Sequence, residues 1–223
     1  MKNNEALQED VQKAIKWEPL MDAAEIGVIA KDGIVTLTGT VDSYAKKLEA
    51  ERAAKKVKGV EAIVEKIEVK FGSFWNKSDS EIAREAVNAL KSDFSVPDDK
   101  IQARVENGWV SLEGAVGWNY QRESAVNSVK YLSGVKGITN KITIKSELTD
   151  DIEKKDIEDA LDRNWSIEEQ DIEVVVSGNK VTLLGTVSSW YDRDEAERIT
   201  WNTPGICAVD NELIVDYDYA MAD

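Results

Sequence analysis

One short pattern decides the fold of this chain: Val35-Thr36-Leu37-Thr38-Gly39, Val110-Ser111-Leu112-Glu113-Gly114 and Val181-Thr182-Leu183-Leu184-Gly185. A second glycine follows each copy at a constant distance, at Gly59, Gly134 and Gly205. Both glycines move by 75 positions between the first two copies (39 to 114, 59 to 134) and by 71 between the last two (114 to 185, 134 to 205). Constant offsets indicate a tandem repeat, so the sequence predicts three small modules.

Apolar residues within each copy recur first at helical spacing and then at strand spacing. An i, i+3, i+4 face precedes two segments of period two, an alanine-rich helix and a last apolar strand. The predicted inward residues of the second strand are Val35, Leu37 and Val41, with Val110, Leu112 and Val116, and Val181, Leu183 and Val187. The sequence therefore predicts an α+β fold of three tandem α-β-β-α-β modules, each a small mixed three-stranded sheet packed against two helices.

The turn residues of the repeat carry more specific predictions. Asp32-Gly33 and Asn107-Gly108 favour type I′ hairpins, and Gly178-Asn179 takes the same place in the third copy. The first glycine of each copy predicts a β-bulge, or a close approach between helix and sheet backbones. The second predicts a left-handed residue that ends the second helix. The predicted structural glycines are Gly39, Gly59, Gly114, Gly134, Gly185 and Gly205.

The predicted domains span residues 5–71, 78–146 and 149–217, followed by an acidic tail at 218–223. A capping box is predicted at Ser78-Asp79-Ser80-Glu81, at the start of the second domain. Thr149, followed by Asp150 and Asp151, predicts a cap and an acidic first turn for the third domain.

Composition restricts the chemistry that the chain can perform. The 223 residues contain 28 basic and 43 acidic residues, for a net charge of −15, which disfavours nucleic acid and simple electrostatic adsorption to anionic lipid. There is no histidine and one cysteine, Cys207, which excludes a Ser-His-Asp or Cys-His mechanism and an internal disulfide. Asp98-Asp99 and Asp216 with Asp218 do not fit a calcium loop. The sequence predicts no catalytic residue, metal site or cofactor, and no enzyme.

The repeat resembles the BON domain. It contains the motif Asp-Gly-x-Val-x-Leu-x-Gly-x-Val, followed by an alanine-rich helix and a last strand that begins with Gly-Val. The matching stretches are Asp32–Val41 with Gly59–Val69, Asn107–Val116 with Gly134–Ile144, and Val181–Val187 with Gly205–Val215. The family's asparagine in the last strand is present as Asn140 and Asn211, whereas the first copy has Glu65.

The resemblance implies a non-enzymatic bacterial protein of the envelope or of osmotic stress that associates with membrane phospholipid or envelope components. It also leaves two other functions open. Related modules form parts of secretion rings, which implies self-assembly into a homo-oligomer, and a related protein binds potassium, which implies a small-ion (potassium or calcium) sensor. No nucleic-acid partner is expected.

The candidate site is the turn before the second helix of each module, which carries aromatic residues, with a basic residue at one equivalent position in all three copies. Its predicted residues are Tyr44 and Lys47, then Trp118, Tyr120 and Arg122, then Trp190, Tyr191 and Arg193. Exposed aromatics beside a cation suit a lipid headgroup layer. The same aromatics also suit packing onto the module's own helix or onto a neighbouring module, and the cations suit a solvated helix surface. Trp109 and Trp201 are specific to their copies and are hypothesised to mark interfaces between repeats.

The first ten residues are polar and enter a helix without the apolar segment of a secretory signal. We therefore expect a cytoplasmic protein, or a periplasmic one if a leader has been removed. No stretch approaches the roughly 18 apolar residues of a membrane span.

Overall fold

The computed structural model describes residues 3–21, 26–72, 77–145, 152–164 and 171–216. Module 1 contains α1 (Asn4–Trp17), β1 (Ile26–Lys31), β2 (Ile34–Val41), α2 (Tyr44–Lys55) and β3 (Ala62–Val69). Module 2 contains α3 (Asp79–Ser92), β4 (Ile101–Glu106), β5 (Trp109–Val116), α4 (Asn119–Lys130) and β6 (Gly137–Ile144). Module 3 contains α5 (Lys154–Asp162), β7 (Asp171–Ser177), β8 (Lys180–Val187), α6 (Trp190–Thr200), β9 (Ala208–Asn211) and β10 (Ile214–Val215).

The second strand of each module is the centre of its sheet. In module 2 the order is β4-β5-β6, with β4 antiparallel and β6 parallel to β5. The inward side chains of the central strands are all buried. In modules 2 and 3 both helices pack on the sheet, and in module 1 α1 packs against β1. The predicted α+β fold of three repeated modules is therefore confirmed, including the nine inward residues of the second strands.

Hydrogen bonds at both ends hold the parallel strand of module 2 in register. Lys136 N donates to Gly108 O at 2.9 Å, in the hairpin turn, and Lys145 N donates to Val116 O at 2.8 Å, at the end of the central strand. The equivalent bonds occur in the other modules, such as Glu61 N to Gly33 O at 2.7 Å. The turn that the sequence conserves between copies thus also positions the last strand.

The last strand contains an acceptor side chain that bonds to its own backbone. Asn140 Oδ1 accepts from Ile142 N at 3.0 Å. In module 1 the glutamate that replaces the asparagine has the same role, since Glu65 Oε1 accepts from Ile67 N. Retention of an acceptor oxygen explains why this substitution is compatible with the fold.

Module 3 departs from the prediction of one continuous last strand. Its strand is interrupted between β9 and β10, where Asn211 Oδ1 accepts from Leu213 N at 3.3 Å. Asn211 Nδ2 also donates to Arg193 O at 2.9 Å and to Glu197 Oε2 at 3.2 Å. These bonds to α6 compensate for the ladder bonds that the interruption removes.

The first glycine of the repeat permits a close approach of two backbones, and the backbone opposite is the segment that leads into the first strand and not one of the two α-helices. In module 2 this segment ends in the short 3-10 helix Asp98–Lys100, just before β4, and in module 3 it is Asp171, the first residue of β7. Gly114 has φ +147°, pairs with Ile101, and a Cβ there would overlap Lys100 O. Gly185 has φ +120°, and a Cβ there would overlap Asp171 O. In module 3 the register continues through Gly185 to Thr186 without an inserted residue, so no bulge lies there, whereas the antiparallel pairing of module 2 ends at Gly114.

The second glycine does not end the second helix, because it lies four residues beyond the helix end in modules 1 and 2 and five beyond it in module 3. Gly134 has φ +94° and is the third residue of a turn closed by Val135 N to Leu132 O at 3.2 Å. A positive φ at this position is typical of a type II turn. The sequence correctly predicted the backbone conformation but assigned it to the wrong element.

The hairpins follow the prediction in two modules. Asp32 and Gly33 both have positive φ (49° and 76°), as do Asn107 and Gly108 (53° and 82°). In module 3 only the first central residue, Gly178, has positive φ, at 57°, which is the φ pattern of a type II′ turn.

The predicted capping box at Ser78 and Glu81 is present. The Ser78 hydroxyl and backbone N–H donate to Glu81 Oε2 at 2.7 and 2.8 Å. The cap predicted at Thr149 lies outside the described residues, and α5 begins at Lys154 with Glu153 as its N-cap.

The described chain forms two compact units. One comprises the described parts of 1–40, 48–68 and 151–223, and it unites most of module 1 with module 3. The other comprises the described parts of 41–47 and 69–150, and it contains module 2.

Candidate functional site

The predicted aromatic turns lie between the central strand and the second helix of each module. In modules 1 and 3 a serine begins the helix: Lys46 N donates to Ser43 Oγ at 3.4 Å, and Asp192 N donates to Ser189 Oγ at 3.1 Å. In module 2 the equivalent residue is Trp118, which has no oxygen to offer. Gln121 supplies the other half of a capping box, because its Oε1 accepts from Gly117 N and Trp118 N at 3.0 and 3.1 Å. These bonds fix the backbone that leads into the helix, whereas the serines bond the first-turn N–H groups of their helices.

The aromatics of the module 2 turn are exposed. Trp118 is 38% exposed and Tyr120 is 55% exposed, and their ring centroids lie 6.4 Å apart. The turn is fixed by the Gln121 bonds, so the two rings project from a defined backbone. Two adjacent exposed aromatics on a fixed turn form a surface that can insert into a headgroup layer.

The tryptophan of the module 3 turn contacts module 1. Trp190 is half-buried, and its Nε1–H donates to Glu61 O at 3.1 Å, within the unit that both modules share. Lys55 Nζ and Asp194 Oδ2 lie 3.5 Å apart in the same region. At Trp190 the structure thus follows the second interpretation, packing onto a neighbouring module, while Tyr191 beside it remains exposed.

In module 1, Tyr44 and Lys47 are both half-buried and both have interaction partners. The basic residues of the other modules are also engaged. The Arg193 guanidinium donates to Leu213 O at 3.1 Å and to Asn211 O, and it lies 5.3 Å from the Trp190 ring centroid. It therefore closes the gap in the interrupted strand of module 3.

Arg122 of module 2 is half-buried, with its guanidinium 3.9 Å from the Glu123 carboxylate. The three basic positions that the sequence treats as equivalent thus differ in their surroundings. Repeat equivalence predicts the same place in the fold, but the neighbours of each copy decide what its side chain contacts.

Sequence reasoning missed the opposite end of α4, where Tyr131 is 61% exposed and Lys130 Nζ lies 4.9 Å from its ring centroid. Tyr131 follows Tyr120 by eleven residues, which is close to three helical turns, so both rings lie on one face of the helix. This spacing is legible in the sequence and would have found the residue. We call Trp118, Tyr120 and Tyr131 the α4 aromatic surface.

The two tryptophans hypothesised to lie between repeats do not share one environment. Trp201 packs against the core of its own module and donates to Glu197 Oε1 at 3.3 Å. Trp109 is half exposed on the outer face of the module 2 sheet.

Shifted pKa values occur at caps and ion pairs outside the aromatic turns. The Ser78 hydroxyl, and then its backbone N–H, hold the pKa of Glu81 below its usual range. The Ser95 backbone N–H, and then the Ser128 hydroxyl, lower the pKa of Asp93. The Arg198 guanidinium lowers the pKa of Glu195, and Asn164 contributes. These groups stabilise the ends of helices and have a structural role.

In the ranges that the structure describes, no three acidic or cysteine side chains converge in a way that could hold a metal ion. Cys207 is half-buried, with its Sγ 3.7 Å from Gly205 O. Over the same ranges, no helix has the length and apolar character that crossing a bilayer requires.

Three α-β-β-α-β modules, each with an aromatic turn before its second helix, define a tandem-module protein. The BON domain model matches residues 3–70, 78–146 and 149–217. The chain belongs to the BON domain family, which confirms the resemblance inferred from the repeated glycines and the last strand.

A curated relative is similar over much of the chain. It is the osmotically-inducible protein Y of Escherichia coli (strain K12), 29% identical over 147 residues that cover 64% of this chain and 73% of the relative. Two solved structures of CdsD, a structural protein of the type III secretion system of Chlamydia trachomatis, align at 16% identity and a TM-score of 0.24. They cover 96% and 97% of this chain, and 100% and 96% of their own chains. A TM-score of this size does not establish a common overall arrangement.

Proposed function

We propose that this chain is a non-enzymatic, stress-associated binding protein that contacts phospholipid surfaces through the α4 aromatic surface of module 2. Support for the stress association comes from the relative whose name records osmotic induction. Support for the lipid contact comes from the family and from one observation: three exposed aromatics mark the two ends of one helix.

The geometry of α4 suits a helix that lies in the plane of an interface. Tyr120 and Tyr131 are about 16 Å apart along the axis, at 1.5 Å per residue, and both face the same side. Phe94, which is fully exposed, lies next to Asp93, whose carboxylate accepts from Ser128 of α4 at 3.0 Å. A further exposed aromatic residue thus belongs to a segment that is bonded to α4. Aromatic rings at headgroup level anchor such contacts.

Charge also favours module 2 over module 3. The charged residues of α4 are Arg122, Glu123 and Lys130, whereas α6 carries four acidic residues against two arginines. In a chain of net charge −15, α4 is therefore a surface on which repulsion from anionic lipid is weak. Because insertion of the aromatics is apolar, binding should persist when salt screens the charges.

Co-sedimentation with vesicles tests this proposal. We expect the full-length protein to bind phosphatidylcholine–phosphatidylglycerol vesicles at low and at moderate salt. The double variant Trp118→Ala/Tyr120→Ala should bind at least about ten-fold more weakly, because each buried aromatic side chain contributes about 1.5–3 kcal/mol. Trp17→Ala is the matched control, because Trp17 is also an exposed tryptophan at a helix end but lies in module 1. Equal binding by the double variant and the wild type would refute the proposal.

A second candidate function, self-assembly, is favoured by the outer sheet face of module 1. Ile29, Ile34 and Val64 are exposed there, on the side of the sheet that faces away from the helices. Light scattering over a concentration series tests it: self-association that Ile29→Glu abolishes would support assembly, and a monomer at all concentrations would exclude it.

A further inference from the structure

The outer face of the module 2 sheet carries an open groove of about 500 Å³. It is lined by Arg104, Glu106, Asn107, Trp109, Ser111 and Lys141. The groove lies on the opposite side of the sheet from α4, because Val110 and Leu112 point to the helices while Trp109 and Ser111 alternate with them. It is therefore separate from the α4 aromatic surface.

Trp109 forms the floor of the groove. Three carbon atoms of its six-membered ring cover Gly137 on the neighbouring strand, so closely that a Cβ at Gly137 would collide with them. One ring face therefore packs on the strand, and with half of the side chain exposed, the other face is open. The pair is specific to module 2: the equivalent residues are Ile34 with Ala62, and Lys180 with Ala208.

The rim of the groove is held in place by α3. Asp79 accepts from Asn107 N at 2.7 Å and from Gly108 N at 2.9 Å, which fixes the hairpin beside Trp109. A fixed rim lowers the ordering cost when a ligand binds.

The charges around the ring are balanced. Arg104 lies 3.0 Å from Glu106, and Lys141 lies 3.1 Å from Glu113, with all four side chains more than half exposed. Each cation thus has its own carboxylate, so the groove presents donors and acceptors without a net charge. Such a groove has no electrostatic preference for phosphate or for a cation.

We propose that this groove binds a neutral saccharide. The open indole face would stack against the C–H face of a sugar ring, while the guanidinium, amide, hydroxyl and carboxylate groups around it would bond to the sugar hydroxyls. A ligand with an apolar face and many hydroxyls matches a flat aromatic floor with a mixed polar rim. The groove would give the protein a second contact, on the face away from lipid.

Nuclear magnetic resonance of the full-length protein tests the proposal. The probes are three neutral tetrasaccharides (chitotetraose, cellotetraose and maltotetraose), with inorganic phosphate and tetramethylammonium as comparisons. We expect at least one tetrasaccharide to shift the Trp109 indole N–H signal, which is assigned by its loss in Trp109→Ala. Failure of all three to shift it, or a larger shift with phosphate or tetramethylammonium, would overturn the proposal.

Gly137→Ala gives a matched variant that keeps the tryptophan. Modules 1 and 3 have alanine at this position, so the fold accepts it, but the new Cβ would displace the Trp109 ring. Calorimetric titration with the responding sugar is expected to show binding weakened about ten-fold by Trp109→Ala and measurably by Gly137→Ala, and unchanged by Trp118→Ala. If Gly137→Ala and Trp109→Ala both bound the responding sugar with the affinity of the wild type, the proposal would also be overturned.

Discussion

Replacement of the repeated glycine by alanine should destabilise a module far more than the same replacement in a hairpin turn. At Gly114, alanine meets two penalties: a φ of +147°, and a Cβ that overlaps the carbonyl oxygen of Lys100, the residue just before β4. Backbone strain of this kind costs about 1–3 kcal/mol, and forced repacking costs a further 1–3 kcal/mol, roughly. We therefore expect Gly114→Ala to lower the free energy of unfolding of module 2 by about 4 kcal/mol.

Gly178→Ala is the matched control. Gly178 also has positive φ, at 57°, but no atom outside its chain neighbours lies within 4 Å of the position a Cβ would take. Only the left-handed conformation is penalised, and the alanine also restricts the unfolded chain, so the expected loss is about 1 kcal/mol. The difference between the two variants isolates the effect of the close approach between the backbones of Gly114 and Lys100.

Hydrogen exchange measured by mass spectrometry, together with urea unfolding, would check both values. A module of this size has a total stability of only about 3–10 kcal/mol, so the Gly114 variant should exchange rapidly throughout β4 and β5 while the other modules stay protected. Similar losses in the two variants would refute the reasoning, because the strand contact would then contribute nothing.

Three further predictions concern the helix and strand contacts. Asn211→Ala should lower the free energy of unfolding of module 3 by about 2–3 kcal/mol, because Asn211 also donates to α6. Asn140→Ala should lower that of module 2 by only about 1 kcal/mol, and equal losses in urea titrations would contradict this difference. Capping lowers the pKa of Glu81 in the folded state, so this stabilisation is complete above the unfolded pKa of about 4.3 and is lost as the pH falls through the folded pKa. Acid unfolding of module 2 should therefore be less pH-dependent in Glu81→Gln, and an unchanged pH profile would argue against the cap. Trp190→Phe keeps an aromatic ring but removes the N–H that donates to Glu61 O. It should lower the free energy of unfolding of the unit shared by modules 1 and 3, measured by calorimetry, by about 1 kcal/mol. No change would show that this hydrogen bond does not stabilise the contact between the two modules.

The sequence predicted the features of the fold that each module determines for itself. The period-two burial of Val110 and Leu112, and the hairpin at Asn107-Gly108, depend on local geometry and on one buried face. The role of Gly114 was misassigned because a positive φ and a close approach can arise in several places, and the sequence does not say which backbone lies opposite. The interruption after Asn211 could not be predicted either. The hydrogen bonds that compensate for the lost strand pairing come from another element, α6.

The candidate site was predicted at the level of its position in the repeat. Trp118 and Trp190 lie at the start of equivalent helices but one position apart in the repeat, because Trp118 corresponds to Ser189 and Trp190 to Asn119. Their contacts differ because Trp190 lies within reach of Glu61 in the unit that modules 1 and 3 share. Which of the aromatic side chains at these turns stays exposed depends on tertiary neighbours, and a pattern along one chain does not show them.

The most direct test of the central claim is vesicle co-sedimentation of the wild type, Trp118→Ala/Tyr120→Ala and Trp17→Ala at two salt concentrations. The account predicts that the wild type and the Trp17 variant bind at both salt concentrations, while the double variant loses at least about ten-fold in affinity and keeps its fold by circular dichroism. Binding by the double variant equal to that of the wild type, or no binding by the wild type to any vesicle, would contradict it.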